Sequence, residues 1–214
     1  MVEPVALARS ELILGGQKSG KSRRAESLAI AWLAQSPSHR AVFIATAQAR
    51  DAEMRERIAR HRRDRAERVP GMTTVEEPLQ LAQAIEAHSQ ANTLLVIDCL
   101  TLWLTNWLMP AADLTGSPGQ GDGNDPNLKK KVPAALDAPA QTAIVLGAIR
   151  NAPGPVVLVS NEIGLGVIPM GREVRAFVDA LGQLNQSVAQ VCQHVTLMAA
   201  GLPISIKDTL GEGS

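Results

Sequence analysis

Residues Gly15-Gly16-Gln17-Lys18-Ser19-Gly20-Lys21-Ser22 carry the clearest chemistry in this 214-residue chain. A glycine, four residues and then Gly-Lys-Ser satisfy the P-loop spacing in full. Each residue type has a task. The glycines let the backbone turn tightly and bring its N–H groups against phosphate oxygens. The helix that follows adds a positive N-terminal end. Lys21 is placed to reach the β- and γ-phosphates, and the Ser22 hydroxyl to ligate Mg²⁺. Asp98 ends the apolar run Thr93-Leu94-Leu95-Val96-Ile97. An acid there serves either as a partner of Mg²⁺ and nucleotide or as a cap for the next helix. The stretch Arg60-His61-Arg62-Arg63-Asp64-Arg65 holds four arginines and one acid. From charge alone it reads equally as a solvated helix face or as forked donors for polyphosphate.

The elements that must position these residues alternate. Glu11–Leu14 reads as a first strand, and residues 21 to about 35 as a helix that Ser36-Pro37-Ser38 breaks. Ala41–Ala45 is apolar throughout, as in a parallel strand covered on both faces. Asp51–Arg68 is a charged helix, Thr73–Glu76 a short strand, and Pro78 opens a helix to about His88. Thr93–Asp98 is a strong strand running into an apolar helix that carries Leu100, Trp103, Leu104, Trp107 and Leu108. Residues 110–135, rich in Gly, Pro and Asp, read as a mobile surface loop within one domain spanning 1–214. A helix over about 138–150, a strand over Val156–Ser160, a long helix over about 172–193 and a hairpin around Gly201 complete the pattern. Residues 1–10 read as a loosely held lead-in and 208–214 as a frayed tail. The expected fold is α/β: a P-loop NTPase-type, mainly parallel sheet with helices on both faces and a C-terminal hairpin at its edge.

Bulk properties narrow the partners. Formal net charge is zero, so no global field draws nucleic acid or an acidic membrane. No tyrosine and two phenylalanines leave few stacking platforms for single strands. Cys99 and Cys192 stand far apart, in no metal-ligand spacing, which suits a reducing cytoplasm. The start of the chain has no signal-peptide pattern. Residues 94–109 are too short and too polar at Asp98 and Asn106 to span a membrane comfortably.

Several stretches together resemble one family, the bifunctional adenosylcobinamide kinase/adenosylcobinamide-phosphate guanylyltransferases of cobalamin synthesis. They are Gly15–Arg23, Ile44–Ala47, Asp51–Arg62, Thr74–Glu76, Asp98–Asn106, Ser160–Pro169, Asp179–Gln186 and Gly201–Lys207. The P-loop alone would not select this family; Arg57-Ile58-Ala59-Arg60-His61-Arg62 together with Ser160-Asn161-Glu162-Ile163-Gly164-Leu165-Gly166 is far more specific. The resemblance implies two reactions. One phosphorylates the aminopropanol hydroxyl of adenosylcobinamide. The other moves GMP from GTP to that phosphate through a covalent GMP–histidine. The family histidine falls on His61; with the P-loop Lys21 it makes up the expected catalytic residues. The family's nucleotide contacts fall on Gly15, Gly16, Gln17, Lys18, Ser19, Gly20, Lys21 and Ser22, on Ala45, Thr46 and Ala47, on Arg62, Arg63, Asp64 and Arg65, and on Glu76 and Asp98. GTP, ATP and Mg²⁺, a corrinoid substrate and a homo-oligomer, a trimer in the family, are implied as well. Two departures stand out. Lys18 occupies a position where arginine is common, and the segment after Arg65 lacks the Pro and Trp often found there.

The residues suit the implied chemistry. A neutral imidazole nitrogen can attack the α-phosphorus, and neighbouring arginines disfavour the imidazolium form. The same arginines and the P-loop can stabilise departing pyrophosphate. His39, His88 and His194 lack such a setting. Two other readings compete: a P-loop kinase of another small alcohol with a structural His61, and a nucleotide-dependent switch or binding module. A GMP adduct would separate the first from both, and corrinoid-stimulated turnover would separate enzyme from switch.

Overall fold

The computed structural model describes residues 7–49, 52–109 and 138–209. The loop expected at 110–135, including Lys129–Lys131, lies outside them. Strands β1 (Ser10–Gly15), β2 (Arg40–Ala45), β3 (Met72–Glu76), β4 (Thr93–Asp98), β5 (Val156–Val159), β6 (His194–Ala199) and β7 (Leu202–Asp208) form one sheet in the order β3-β2-β4-β5-β1-β6-β7. All pairings are parallel except β6 with β7, which closes the edge as an antiparallel hairpin. The helices are α1 (Lys21–Gln35), α2 (Ala52–Arg68), α3 (Leu81–His88), α4 (Leu100–Leu108), α5 (Ala138–Asn151) and α6 (Arg172–Val191). The α/β expectation holds.

Side chains alternate across the sheet, so each strand feeds two cores. Leu12, Leu14, Ile44, Leu95, Ile97 and Leu158 pack with residues of α3, α4, α5 and α6. Ile13, Phe43, Leu94, Val96, Val157 and Val159 pack with Ala25, Leu28 and Ala29 of α1. The apolar run of 94–109 is a buried strand followed by a helix whose Trp103 is 1% exposed.

Three expectations are corrected. The helix opened by Pro78 starts at Leu81. The Glu77 carboxylate accepts hydrogen bonds from the N–H groups of Leu79 and Gln80, at 2.9 and 2.7 Å, and holds a turn there. The Pro78 and Leu79 carbonyls are also taken by α4, through Asn106 and Trp103. Among residues 7–10 the lead-in is not loose: Ala8 is buried and the Arg9 guanidinium donates to the Ala152 carbonyl at 3.0 Å. Asp208 is no frayed end either, since it pairs with His194 across the closing hairpin.

Candidate active site

The P-loop, Thr46, Glu76 and Asp98 lie at the C-terminal ends of the parallel strands β1, β2, β3 and β4. β1 leads directly into the P-loop. Gly15, at φ +151°, could not carry a side chain, because a Cβ there would come within 2.6 Å of the Met198 carbonyl oxygen. Gly20 is left-handed at φ +103° and caps α1 without any side chain in the way. Gly16, Gln17 and Lys18 form the exposed tip of the loop, with Lys18 itself left-handed at φ 57°. The Gly201 N–H donates to the Ser19 carbonyl at 3.0 Å, so the β6–β7 turn braces the loop from behind.

Lys21 is buried, and its ammonium donates to the Gly15 and Gly16 carbonyls at 2.9 and 2.6 Å. Burial lowers its pKa, while Asp98 and Cys99 oppose that shift. The Ser22 hydroxyl donates to Asp98 Oδ2 at 2.8 Å. Asp98 does not cap the next helix: α4 starts at Leu100, its N-cap position is Cys99, and it has no side-chain cap. Burial raises the Asp98 pKa; the Ser22 hydrogen bond, then Arg65, Lys21 and His61, pull it back.

Asp98 is held in place through its neighbours. The Asp98–Cys99 peptide is cis. The Thr46 hydroxyl donates to the Cys99 carbonyl at 2.7 Å and accepts from the Cys99 N–H at 2.8 Å. The Thr46 N–H donates to the Asp98 carbonyl at 3.2 Å. With 0% exposure the Thr46 side chain supports the site floor, which leaves the adjacent backbone as the surface a nucleotide could meet. The Asn106 amide donates to the Thr46 and Pro78 carbonyls at 2.8 and 3.1 Å, tying the ends of β2 and β3 to α4.

Helix α2 has no buried residue among its described side chains. Charge and stacking hold it. Arg62 pairs with Glu76 at 3.0 Å, Arg65 lies 3.5 Å above the Phe43 ring, and Arg68 reaches Glu26 at 3.0 Å. Asp64 faces Arg68 at 3.8 Å. Between α2 and the ends of β2 and β3 lies a cleft of about 600 Å³, lined by Ala45, Ala47, Ile58, Arg62, Arg63 and Glu76 among others. His61 is exposed yet near enough to Asp98 for their charges to interact. Its pKa is lowered, first by partial burial and then by Arg57 and Arg60, against the pull of Asp98 and Asp64.

The structure thus brings the P-loop, Asp98, Arg65 and His61 to one end of the sheet, with Ala45, Ala47, Arg62, Arg63 and Glu76 around the adjoining cleft. Sequence reasoning missed the supports. Asn106 gave a signal, as an amide three residues after Trp103 in an apolar helix. Thr101, Ser160 and Asn185 fall within stretches that carry the resemblance, but their partners are not legible there: Ser160 Oγ donates to Asn185 Oδ1 at 2.7 Å, and Asn185 in turn donates to the Asn161 carbonyl at 3.0 Å. Glu11, buried in β1, takes hydrogen bonds from Thr196 and Arg24, at 2.8 and 3.3 Å, and ties the P-loop strand to its neighbours.

Residues 11–206 match the family model described as cobinamide kinase / cobinamide phosphate guanyltransferase. The chain is 43% identical over 198 residues to the bifunctional adenosylcobalamin biosynthesis protein CobP of Pseudomonas aeruginosa, covering 92% of this chain and 96% of that one. It is 34% identical to the protein named CobU of Escherichia coli K12 and 32% identical to that of Salmonella typhimurium, each over 196 residues, 92% of this chain and 98% of the relative. With the P-loop geometry and a match over most of its length, the chain belongs to the cobinamide kinase / cobinamide phosphate guanyltransferase family.

Proposed function

We propose that both reactions run at this one end of the sheet and that guanylyl transfer passes through a covalent GMP on His61. The observation that carries the reading is His61 set within electrostatic reach of Asp98, whose carboxylate already holds Ser22 of the P-loop. In the kinase step the aminopropanol hydroxyl oxygen of adenosylcobinamide bonds to the γ-phosphorus of ATP or GTP. The bond from that phosphorus to the β–γ bridging oxygen breaks, the nucleoside diphosphate leaves, and the hydroxyl proton is lost. In the second step an imidazole nitrogen of His61 bonds to the α-phosphorus of GTP and pyrophosphate departs. A phosphate oxygen of adenosylcobinamide phosphate then displaces the imidazole, giving adenosylcobinamide-GDP and free His61.

Residue roles follow from position. Gly15 to Ser22 cradle the phosphates, with Lys21 on the β- and γ-oxygens. Ala45, Ala47, Arg62, Arg63 and Glu76 border the cleft assigned to the guanosine. Arg62, Arg63 and Arg65 offset charge on the leaving pyrophosphate. The Ser22 hydroxyl and Asp98 carboxylate, 2.8 Å apart, are the hard oxygen donors that Mg²⁺ takes beside phosphates and water. Bound there, Mg²⁺ would neutralise charge on the triphosphate. The proposal includes a cytoplasmic homo-oligomer, a trimer by resemblance. Leu202, Ile204 and Ile206 along edge strand β7 offer exposed apolar surface for such contact, and among the described residues no helix is long and apolar enough to cross a membrane.

The test is GTP labelled at the α-phosphate. Wild-type protein should take up label covalently and release pyrophosphate, in an adduct stable to alkali and lost in acid. His61→Asn should abolish labelling and keep the kinase reaction. Because the His61 pKa is lowered, labelling should hold its rate from pH 8 down to about 6.5, the ordinary histidine value, and fall below it. Label that persists in His61→Asn would remove this residue from the mechanism. A wild-type protein that never labels would leave a simple kinase.

A further inference from the structure

A second groove, of about 510 Å³, lies between the loop after β5 and helix α6. Val167, Ile168 and Val178 give it apolar surface, Gln183 and Gln186 carboxamides, and Arg175 and Asp179 one charge of each sign. Its loop is physically joined to the P-loop. The Glu162 N–H donates to the Gly15 carbonyl at 3.0 Å, and the Glu162 carboxylate accepts from the Gly164 N–H at 2.7 Å. The far end is pinned as well, because the Arg175 guanidinium donates to the Pro169 carbonyl at 2.9 Å. Anchored at both ends, this loop still holds Leu165, Val167, Ile168 and Met170 in solvent at 76–97% exposure. Exposed apolar side chains on a fixed loop beside a nucleotide site mark a binding surface.

The occupant follows from the reaction. The nucleotide has the P-loop and the cleft under α2, and the acceptor hydroxyl must meet the γ-phosphate from another side. Open α/β sheets bind ligands past the carboxyl ends of their strands, and β5 ends beside the P-loop strand β1. A corrinoid is a broad macrocycle with methyl-clad faces, a fringe of carboxamide arms and its reacting hydroxyl on a flexible aminopropanol arm. Its ring can lie away from the phosphates while the arm reaches them. Apolar walls with paired glutamines suit such a ring edge, since amide–amide hydrogen bonds satisfy both partners.

We infer that the groove between the Ile163–Pro169 loop and α6 is the corrinoid subsite, with Gln183 and Gln186 as hydrogen-bond partners of the macrocycle's carboxamides. This rests on the family reading above. Gly182 lines the groove, and a Cβ added there meets nothing within 4 Å. Gly182→Trp therefore starts from an unobstructed Cβ and places bulk in the groove, and Gln186→Ala removes one amide from an exposed position. In calorimetric and steady-state titrations of the full-length protein with adenosylcobinamide, Gly182→Trp should raise the corrinoid Kd and KM by about tenfold or more, and Gln186→Ala by about fivefold. GTP affinity, α-phosphate labelling at His61 and molar mass by light scattering should stay unchanged in both. Wild-type corrinoid affinity in both variants overturns the assignment. So does a loss that comes with altered molar mass, which would make the groove an interface between copies. Wild-type protein that binds GTP but no corrinoid would overturn the functional reading itself, and this proposal with it.

Discussion

Replacing Thr46 with valine tests whether its hydroxyl supports the site floor or touches nucleotide. Valine keeps the shape and deletes the two contacts to Cys99, at 2.7 and 2.8 Å. The position is fully buried, so water cannot replace the hydroxyl; the Cys99 N–H loses its partner, while the Cys99 carbonyl keeps the Trp103 N–H at 3.1 Å. The unsatisfied buried N–H costs about 1–3 kcal/mol and the lost hydrogen bond to the carbonyl about 1 kcal/mol more, which sets the expected destabilisation at about 2–4 kcal/mol. At a urea m-value of about 2 kcal/mol/M, the unfolding midpoint should fall by about 1–2 M. The Asp98 carboxylate, one residue back, should lose its fixed position against Ser22, and the KM for GTP should rise at temperatures where the variant is folded. Thr46→Ser keeps the hydroxyl and should recover most of both effects. Equilibrium urea unfolding and initial-rate kinetics on the three proteins decide the matter. An unchanged midpoint with a raised KM would refute the support argument and make the hydroxyl a direct nucleotide contact.

Two further outcomes are expected. Lys21→Ala removes a buried ammonium whose contacts are to loop carbonyls, so the protein should stay folded by circular dichroism while triphosphate affinity drops at least about a hundredfold and kinase turnover disappears; near-normal affinity would unseat the assigned phosphate site. Burial pushes the Cys99 and Cys192 thiols up to about 12, so at pH 8 a maleimide should leave native protein unmodified and label both cysteines in urea, and rapid stoichiometric labelling of the native state would contradict their burial.

The chain yielded most where local chemistry dictates local geometry. The P-loop spacing, the apolar strands and the Gly201 turn fix their elements to within a residue or two, because glycines and continuous apolar runs allow few alternatives. The start of α3 was misread because Pro78 is a good first helical residue, whereas the winning forces come from elsewhere: the Glu77 carboxylate and two donors on α4. Thr46 illustrates the same limit at the site. The resemblance marks its segment as a nucleotide contact, but a partner 53 residues away decides what its hydroxyl does. The charged helix α2 was ambiguous for a related reason. Arg62, Arg65 and Arg68 acquire meaning only from Glu76, Phe43 and Glu26, which the chain brings in from three other elements.

The position of β1 in the sheet has a consequence for synthesis on the ribosome. Among the described strands the P-loop strand is made before the others, yet its two neighbours are β5, which begins at residue 156, and β6, which begins at residue 194. The turn that braces Ser19 comes later still, at Gly201. At roughly 5–20 residues per second, Lys21 and Ser22 wait about 10–40 s for the segments that fix them. Until then β1 is a short apolar strand with both edges open, a species exposed to mispairing. Until β6 and the Gly201 turn have been made, the P-loop lacks the contacts that brace it, so nucleotide can favour the finished sheet only once its last parallel strand has joined.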